Sequence, residues 1–310
     1  MKRIIELTSI CLIAIAMLAG CSSEKPGNAR EAGGVEFTDA LEHEIAVSGY
    51  DKVIAATSSF AQVWQLAGGK LIGATTDAFE DGLITTGEAT DVGGAHNPSL
   101  EQMIALSPDL VILSADLPGH VKLYEQLNAA GITAAYFSVE VFEDYLSMLK
   151  ICTDITGRAD LYKQNGESIR ERIDEIITRT KDKPSPKVLL LRASSGKVEA
   201  RNSETMAGKM LRDMGCVNIA DSETGLLENL SMEVIIKEDP DYIFVTIMGD
   251  SEEKAQEALR GALLQNPAWA GLTAVKNNRY ITLPKDLFHQ KPNNRWAESY
   301  ELLWKTLYGK

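Results

Sequence analysis

The sequence predicts an α/β protein with two doubly wound parallel-sheet lobes joined by one long helix. Three observations carry that expectation. Residues Ser99–Leu113 and Ser231–Val245 match as a faint internal repeat, each reading as a Ser-capped helix, a Pro-Asp turn and a buried strand. Asp51-Lys52-Val53-Ile54 and Pro186-Lys187-Val188-Leu189 open the two halves in the same way, each with an apolar strand followed by a polar loop and a helix. Strands alternating with helices in both halves imply parallel sheets covered on both faces. Between the halves lies a helical stretch instead of a short hinge.

The N-terminus is set aside first. Lys2 and Arg3 precede an unbroken apolar run of ten residues, Ile10 to Ala19. A membrane-spanning helix needs about 20, so residues 1–20 read as a signal peptide. The run ends in Leu18-Ala19-Gly20-Cys21, which resembles a bacterial lipobox and makes Cys21 the expected site of lipid attachment. Residues 21–38, rich at first in Ser, Gly, Pro and Glu, read as the tether of that anchor.

The N-terminal lobe is placed at 39–140. A helical linker is expected at 141–183, with helices from Phe142 to Gly157 and from Arg158 to Lys181. Its second helix carries a stripe at Tyr162, Gly166, Ile169, Ile173 and Ile176. Such a helix runs over about 30 Å and limits how far two lobes swing. Lys183-Pro184-Ser185-Pro186 stops it. The C-terminal lobe occupies 184–310 and ends in a helix from Asn294 to Leu307. Met206, Met210 and Met214 recur every four residues and read as a core stripe. Trp64, Trp269, Trp296 and Trp304 read as packing residues. Cys152 and Cys216 lie in apolar contexts and are expected as buried free thiols, with a disulfide as the alternative.

Composition excludes some functions. The net charge of −13 and the lack of any basic run argue against a nucleic-acid partner. No G-x-S-x-G elbow, Walker loop or H-E-x-x-H motif occurs. No enzyme activity and no catalytic cofactor are therefore expected.

The signal and lipobox, the two lobes with a connecting helix, Asp51-Lys52-Val53-Ile54, the two Ser-x-Glu…Pro-Asp segments and Lys291-Pro292-Asn293-Asn294-Arg295-Trp296-Ala297-Glu298-Ser299-Tyr300 resemble one family. It is the helical-backbone class of substrate-binding proteins, in the branch serving iron-siderophore, haem and cobalamin importers. The resemblance covers residues 36–310. It implies an extracytoplasmic, lipid-anchored monomer that closes on one small metal chelate and delivers it to the transmembrane permease of an ABC importer with its ATPase. The transported ligand is expected to contain iron or cobalt. The resemblance also makes Glu101 and Glu233, two residues after the capping Ser of each repeat, the permease-docking pair. Leu100, Met103 and Ile104 are expected on the buried side of the first helix, and Met232, Ile235 and Ile236 on that of the second.

Ligand contacts are expected where parallel strands end. The candidates are Ser58, Ser59 and Phe60 after the first strand, His96 and Asn97, His120, then Arg192, Arg201 and His289 in the second lobe. Phe60 offers a ring to a planar ligand, with the first core position of the next helix as its other reading. Arg192 offers a planar fork to an anion. Three of the four histidines, His96, His120 and His289, fall in predicted cleft loops. One imidazole suits haem iron or corrinoid cobalt, and several suit the carboxylates or catecholates of a siderophore. All three, with Asp116 or Asp286, form the bare-transition-metal alternative.

Overall fold

The computed structural model describes residues 34–249 and 251–309 of the chain. The signal run, Cys21 and most of the tether lie outside the described residues. Residues 35–38, expected as the end of the tether, form a strand instead. Strand β1 (Val35–Thr38) pairs antiparallel with β2 (Glu44–Val47). The alternation in Val-Glu-Phe-Thr turns Val35 and Phe37 toward the core, which a polar tether has no means to do.

The first lobe is built on β3 (Val53–Ala55), β4 (Gly73–Ala74), β5 (Thr90–Asp91), β6 (Leu110–Ser114) and β7 (Thr133–Phe137). They form one parallel sheet in the order β5-β4-β3-β6-β7. The second lobe has β8 (Lys187–Ser194), β9 (Lys197–Arg201), β10 (Val217–Asn218), β11 (Tyr242–Ile247) and β12 (Tyr280–Thr282). Here β10-β8-β11-β12 run parallel, and β9 folds back antiparallel on β8. The segment expected as an open loop after Arg192 is therefore a hairpin, turning at Ser195-Gly196.

The internal repeat holds in atomic detail. Ser99 Oγ accepts from the Gln102 N–H at 3.3 Å, and Ser231 Oγ from the Val234 N–H at 3.4 Å. The helices Leu100–Leu106 and Met232–Glu238 both end at a left-handed residue, Ser107 and Asp239. The Pro-Asp turns then do the same work twice. Asp109 Oδ2 accepts the Lys52 N–H at 2.9 Å, and Asp241 Oδ2 accepts the Lys187 N–H at 2.9 Å. Each turn thus satisfies a backbone donor at the start of the first strand of its lobe's parallel sheet.

Burial follows the two-residue period of the strands. Val53, Ala55, Leu110, Ile112, Ala135 and Phe137 face one side of the first sheet, and Ile54, Val111, Leu113, Ala134 and Tyr136 the other. In the second sheet Val188, Leu190 and Phe244 face one side, Leu189, Leu191, Ile243 and Val245 the other. The outer faces have separate cores. The inner faces of both lobes share one, closed by the helices Phe142–Thr156, Ser168–Thr178 and Trp296–Tyr308. Met206, Met210 and Met214 belong to it.

Two expectations about helices need correction. The second linker helix is not uniform: Ala159–Tyr162 passes through a π-turn, Lys163–Glu167, into Ser168–Thr178. The wider turn buries Asn165 and Gly166 together, so Asn165 Nδ2 donates to the Leu66 carbonyl at 2.9 Å while Gly166 closes on Leu146 and Leu149. A Cβ at Gly166 would lie 3.0 Å from Leu146 Cδ2. On the repeat helices, Ile104 and Ile236 are exposed, at 39% and 43%. Met103 and Ile235 fill the buried line, and the step of about 100° to the next residue carries it off that line.

Candidate functional site

Strand ends of the second lobe converge on a cavity of about 150 Å³. Arg192 lies near the end of β8, Arg201 closes β9, and Thr246 and Met248 come from β11 and its exit. Phe288, His289 and Lys291 descend from the segment after β12, and Met206 opens the helix Met206–Asp213. The first lobe supplies Glu140, just past β7. The walls thus combine three cations and an imidazole with apolar Met206, Met248 and Phe288, a lining suited to a small anion with an apolar body.

The cations are held differently. Arg192 faces Glu199 across the β8–β9 ladder and donates to its Oε2 at 2.8 Å. Lys197 reaches the other oxygen at 2.7 Å, and hydrogen bonds from Lys197 and then Arg192 draw the Glu199 carboxyl down to about 2. Arg192 is thereby oriented by a fixed carboxylate. Among the described residues Arg201 has no carboxylate within ion-pair distance. Its pKa is lowered, first by burial and then by the neighbouring Arg192. A guanidinium held beside another with its own fork unpaired is a place where an added anion gains two charge-assisted hydrogen bonds.

Of the residues singled out from sequence, Arg192, Arg201 and His289 meet in this cavity. Ser58, Ser59, His96 and Asn97 do not line it. The Ser58 N–H donates to Asp77 Oδ2 at 2.9 Å, and the Ser59 carbonyl accepts from Asn293 Nδ2 at 2.9 Å, a contact that ties the C-terminal segment to the first lobe. His96 and Asn97 are exposed on a turn. Phe60 is corrected to a core residue: it is 3% exposed and packs edge-on against Phe137.

His120 is also corrected. It is wholly buried; its Nδ1 accepts the Ser114 N–H at 3.0 Å, so the ring proton sits on Nε2 and goes to the Ala95 carbonyl at 2.5 Å. Both nitrogens are spent on joining two loops, and burial lowers the ring's pKa. The bare-metal alternative loses its centre with it. Asp116 accepts from Ser138 Oγ, Asp286 pairs with Arg295, and among the described residues no three His, Cys, Asp or Glu side chains gather to hold an ion.

Sequence reasoning missed Glu140 and Lys291. Lys291 lies at the end of the Pro284–Pro292 segment, whose bracketing prolines and position after β12 were the available signal. For Glu140 the only signal was its place after the last strand of the first lobe.

A model of the periplasmic binding protein family matches residues 53–287. The chain belongs to that family. It is a substrate-binding component of an ABC importer and not an enzyme. Members with assigned roles include the Fe(3+)-citrate-binding protein YfmC of Bacillus subtilis, 24% identical over 296 residues that span 92% of this chain and 90% of that protein. The iron-uptake system-binding protein of the same organism is 25% identical over 90% of both chains. A similar fold is seen in the siderophore-binding protein BauB, solved with ferric iron and two acinetobactin molecules, at a TM-score of 0.72 and 17% identity over 89% of this chain and 99% of that one. Staphylococcus aureus IsdE with heme matches at a TM-score of 0.67 and 16% identity, over 84% and 100%. Family membership places the protein among extracytoplasmic binding proteins. No described helix is long and apolar enough to cross a membrane.

Proposed function

We propose that this binding protein captures an anionic iron chelate of the siderophore or citrate kind and hands it to its permease. Arg201 carries the reading: a half-buried guanidinium without a carboxylate partner among the described residues, set beside Arg192 and Lys291 in one cavity. Ferric complexes of citrate or catecholates present carboxylate or phenolate oxygens that such a cluster recognises. The names of the iron-citrate and iron-uptake relatives support the same class. His289 in the same wall supports haem as a second reading, with the imidazole toward iron and the two arginines toward propionates.

Purified protein is mixed in turn with ferric citrate, a ferric tris-catecholate and haemin, and binding is followed by tryptophan fluorescence and visible absorbance. The expected result is tight binding of a ferric carboxylate or catecholate, weakened about 10- to 100-fold in Arg201→Ala, the range of a lost charge-assisted bond. A Soret band on binding haemin alone favours the second reading. A protein that ignores all three and takes up only zinc or manganese ends this proposal.

Delivery is assigned to Glu101 and Glu233. Both are exposed in the first turn of matching helices, one on each lobe, and each has an exposed isoleucine one turn on. Carboxylates in that setting steer a cationic partner surface more than they add affinity. Cys21 is assigned as the acylated residue that holds the protein at the outer face of the membrane. Cys21→Ala is expected to move the protein to the soluble fraction with ligand affinity intact; unchanged membrane fractionation would end that assignment.

A further inference from the structure

Two carboxylates face the cation cluster, and they are held in different ways. Glu199 is locked by the β8–β9 ladder and bridges Arg192 and Lys197 at 2.8 and 2.7 Å. Glu140 comes from the opposite lobe. Its backbone is fixed: the N–H groups of Glu140 and Val141 both donate to Asp144 Oδ2 at 2.9 Å, at the entry of the helix Phe142–Thr156. Its side chain is loosely held. It lines the cavity, touches Lys291 Nζ at 3.5 Å, and is 54% exposed. A rigid backbone thus delivers a weakly bound carboxylate to the place where an anionic ligand must put its own.

We propose that Glu140 is a built-in competitor of the ligand: a carboxylate of the first lobe that screens the Lys291–Arg201 cluster of the second until an anionic chelate displaces it. The geometry distinguishes this role from a structural one. A long, exposed contact contributes little to stability, and among the described residues the Glu140 carboxylate accepts no hydrogen bond from the backbone of either lobe. Its charge also acts beyond Lys291, since it adds to the field at Arg201 together with Glu199. Displacing it removes an ion pair that spans the lobes, so a solute is admitted in proportion to its negative charge. A neutral solute of the same shape would leave Glu140 in place and the cluster screened. The residue therefore sets specificity by charge.

The inference rests on the anionic-ligand reading. Full-length protein and Glu140→Gln are titrated with ferric citrate and a ferric tris-catecholate at low and high salt, and with an uncharged ferric hydroxamate. Glu140→Gln is expected to bind the anionic chelates about two- to five-fold more tightly at low salt, the range an exposed ion pair allows. The gain should shrink at high salt and be absent for the uncharged complex. Glu140→Asp keeps the charge but withdraws it by one methylene, and is expected to fall between. Equal or weaker binding of the anionic chelates by Glu140→Gln, with the parent protein binding them, overturns the inference alone; weaker binding would make Glu140 a latch that holds the lobes closed. A parent protein that binds no anionic chelate overturns both the inference and the reading beneath it.

Discussion

The two lobes share a frame and use its strand ends in opposite ways. Each has a Ser-capped helix, a left-handed exit and an aspartate that pins the first strand of the parallel sheet. At the cleft they part. First-lobe strand ends other than the one carrying Glu140 are bound up internally, through His120 to Ser114 and Ala95, Ser58 to Asp77, and Asp116 to Ser138. Second-lobe strand ends leave Arg201 and Lys291 facing a cavity. A repeated scaffold therefore does not imply a repeated site. One lobe is built as a wall and the other as a receptor for charge.

The comparison breaks most visibly where the lobes are alike. Reversing both exposed carboxylates, Glu101→Arg with Glu233→Arg, is expected to abolish iron-chelate uptake by cells while the purified protein binds as before. Uptake that survives the double reversal would separate the shared helices from docking. Next in size is the asymmetry of the cleft: Arg201→Ala should lose about 10- to 100-fold in affinity for ferric citrate or catecholate. A first-lobe change such as Asn97→Ala should lose less than about two-fold, within the range of uncoupled surface changes. Equal losses on the two sides would refute the division of labour.

A stability measurement sharpens the same contrast. His120→Ala leaves the Ser114 N–H buried and unpaired and should cost about 1–3 kcal/mol in denaturant unfolding, with chelate affinity unchanged. The wild-type protein should also show the buried ring in its pH dependence. Burial lowers the His120 pKa below its ordinary value, so an unfolded chain takes up a proton near pH 6.5 that the folded chain refuses. This contribution to stability is complete above about pH 6.5 and declines as pH falls below it, by at most about 1.4 kcal/mol per unit. His120→Ala should flatten that decline; an unchanged slope would place the titration elsewhere. The smallest effect concerns thiols. Burial raises Cys152 and Cys216 to about 12, so an alkylating reagent at pH 8 should leave both untouched in folded protein and label both after unfolding.

Local rules made the fold legible. Matching Ser, Pro and Asp positions in Ser99–Leu113 and Ser231–Val245 name the cap and the turn, and strand alternation names the two faces. Where only tertiary packing decides, sequence fell short. Nothing near Ile104 or Ile236 says how deep either helix sits, and both proved exposed. His120 follows a strand end as a ligand would, yet a carbonyl 25 residues away accepts the hydrogen bond from its ring N–H. Arg192 was legible because it lies near the end of a parallel strand, whereas Arg201 reaches the cavity on the antiparallel β9 and His289 on the segment after β12. Glu140 meets Lys291 from 151 residues away, across two lobes, and no spacing records that.

The common inner core has a consequence for how the chain is made. Its last wall is the helix Trp296–Tyr308, whose Trp296, Tyr300, Leu303 and Leu307 join the shared core and whose body packs on the helices Ser168–Thr178 and Met206–Asp213. A chain emerging from its N-terminus covers the inner face of the first sheet with Phe60, Trp64 and the helix Phe142–Thr156, but the side of the shared core that Trp296–Tyr308 closes stays open until those thirteen residues arrive. A chain that stops before Trp296 leaves apolar surface of the shared core exposed, the kind of surface that favours aggregation.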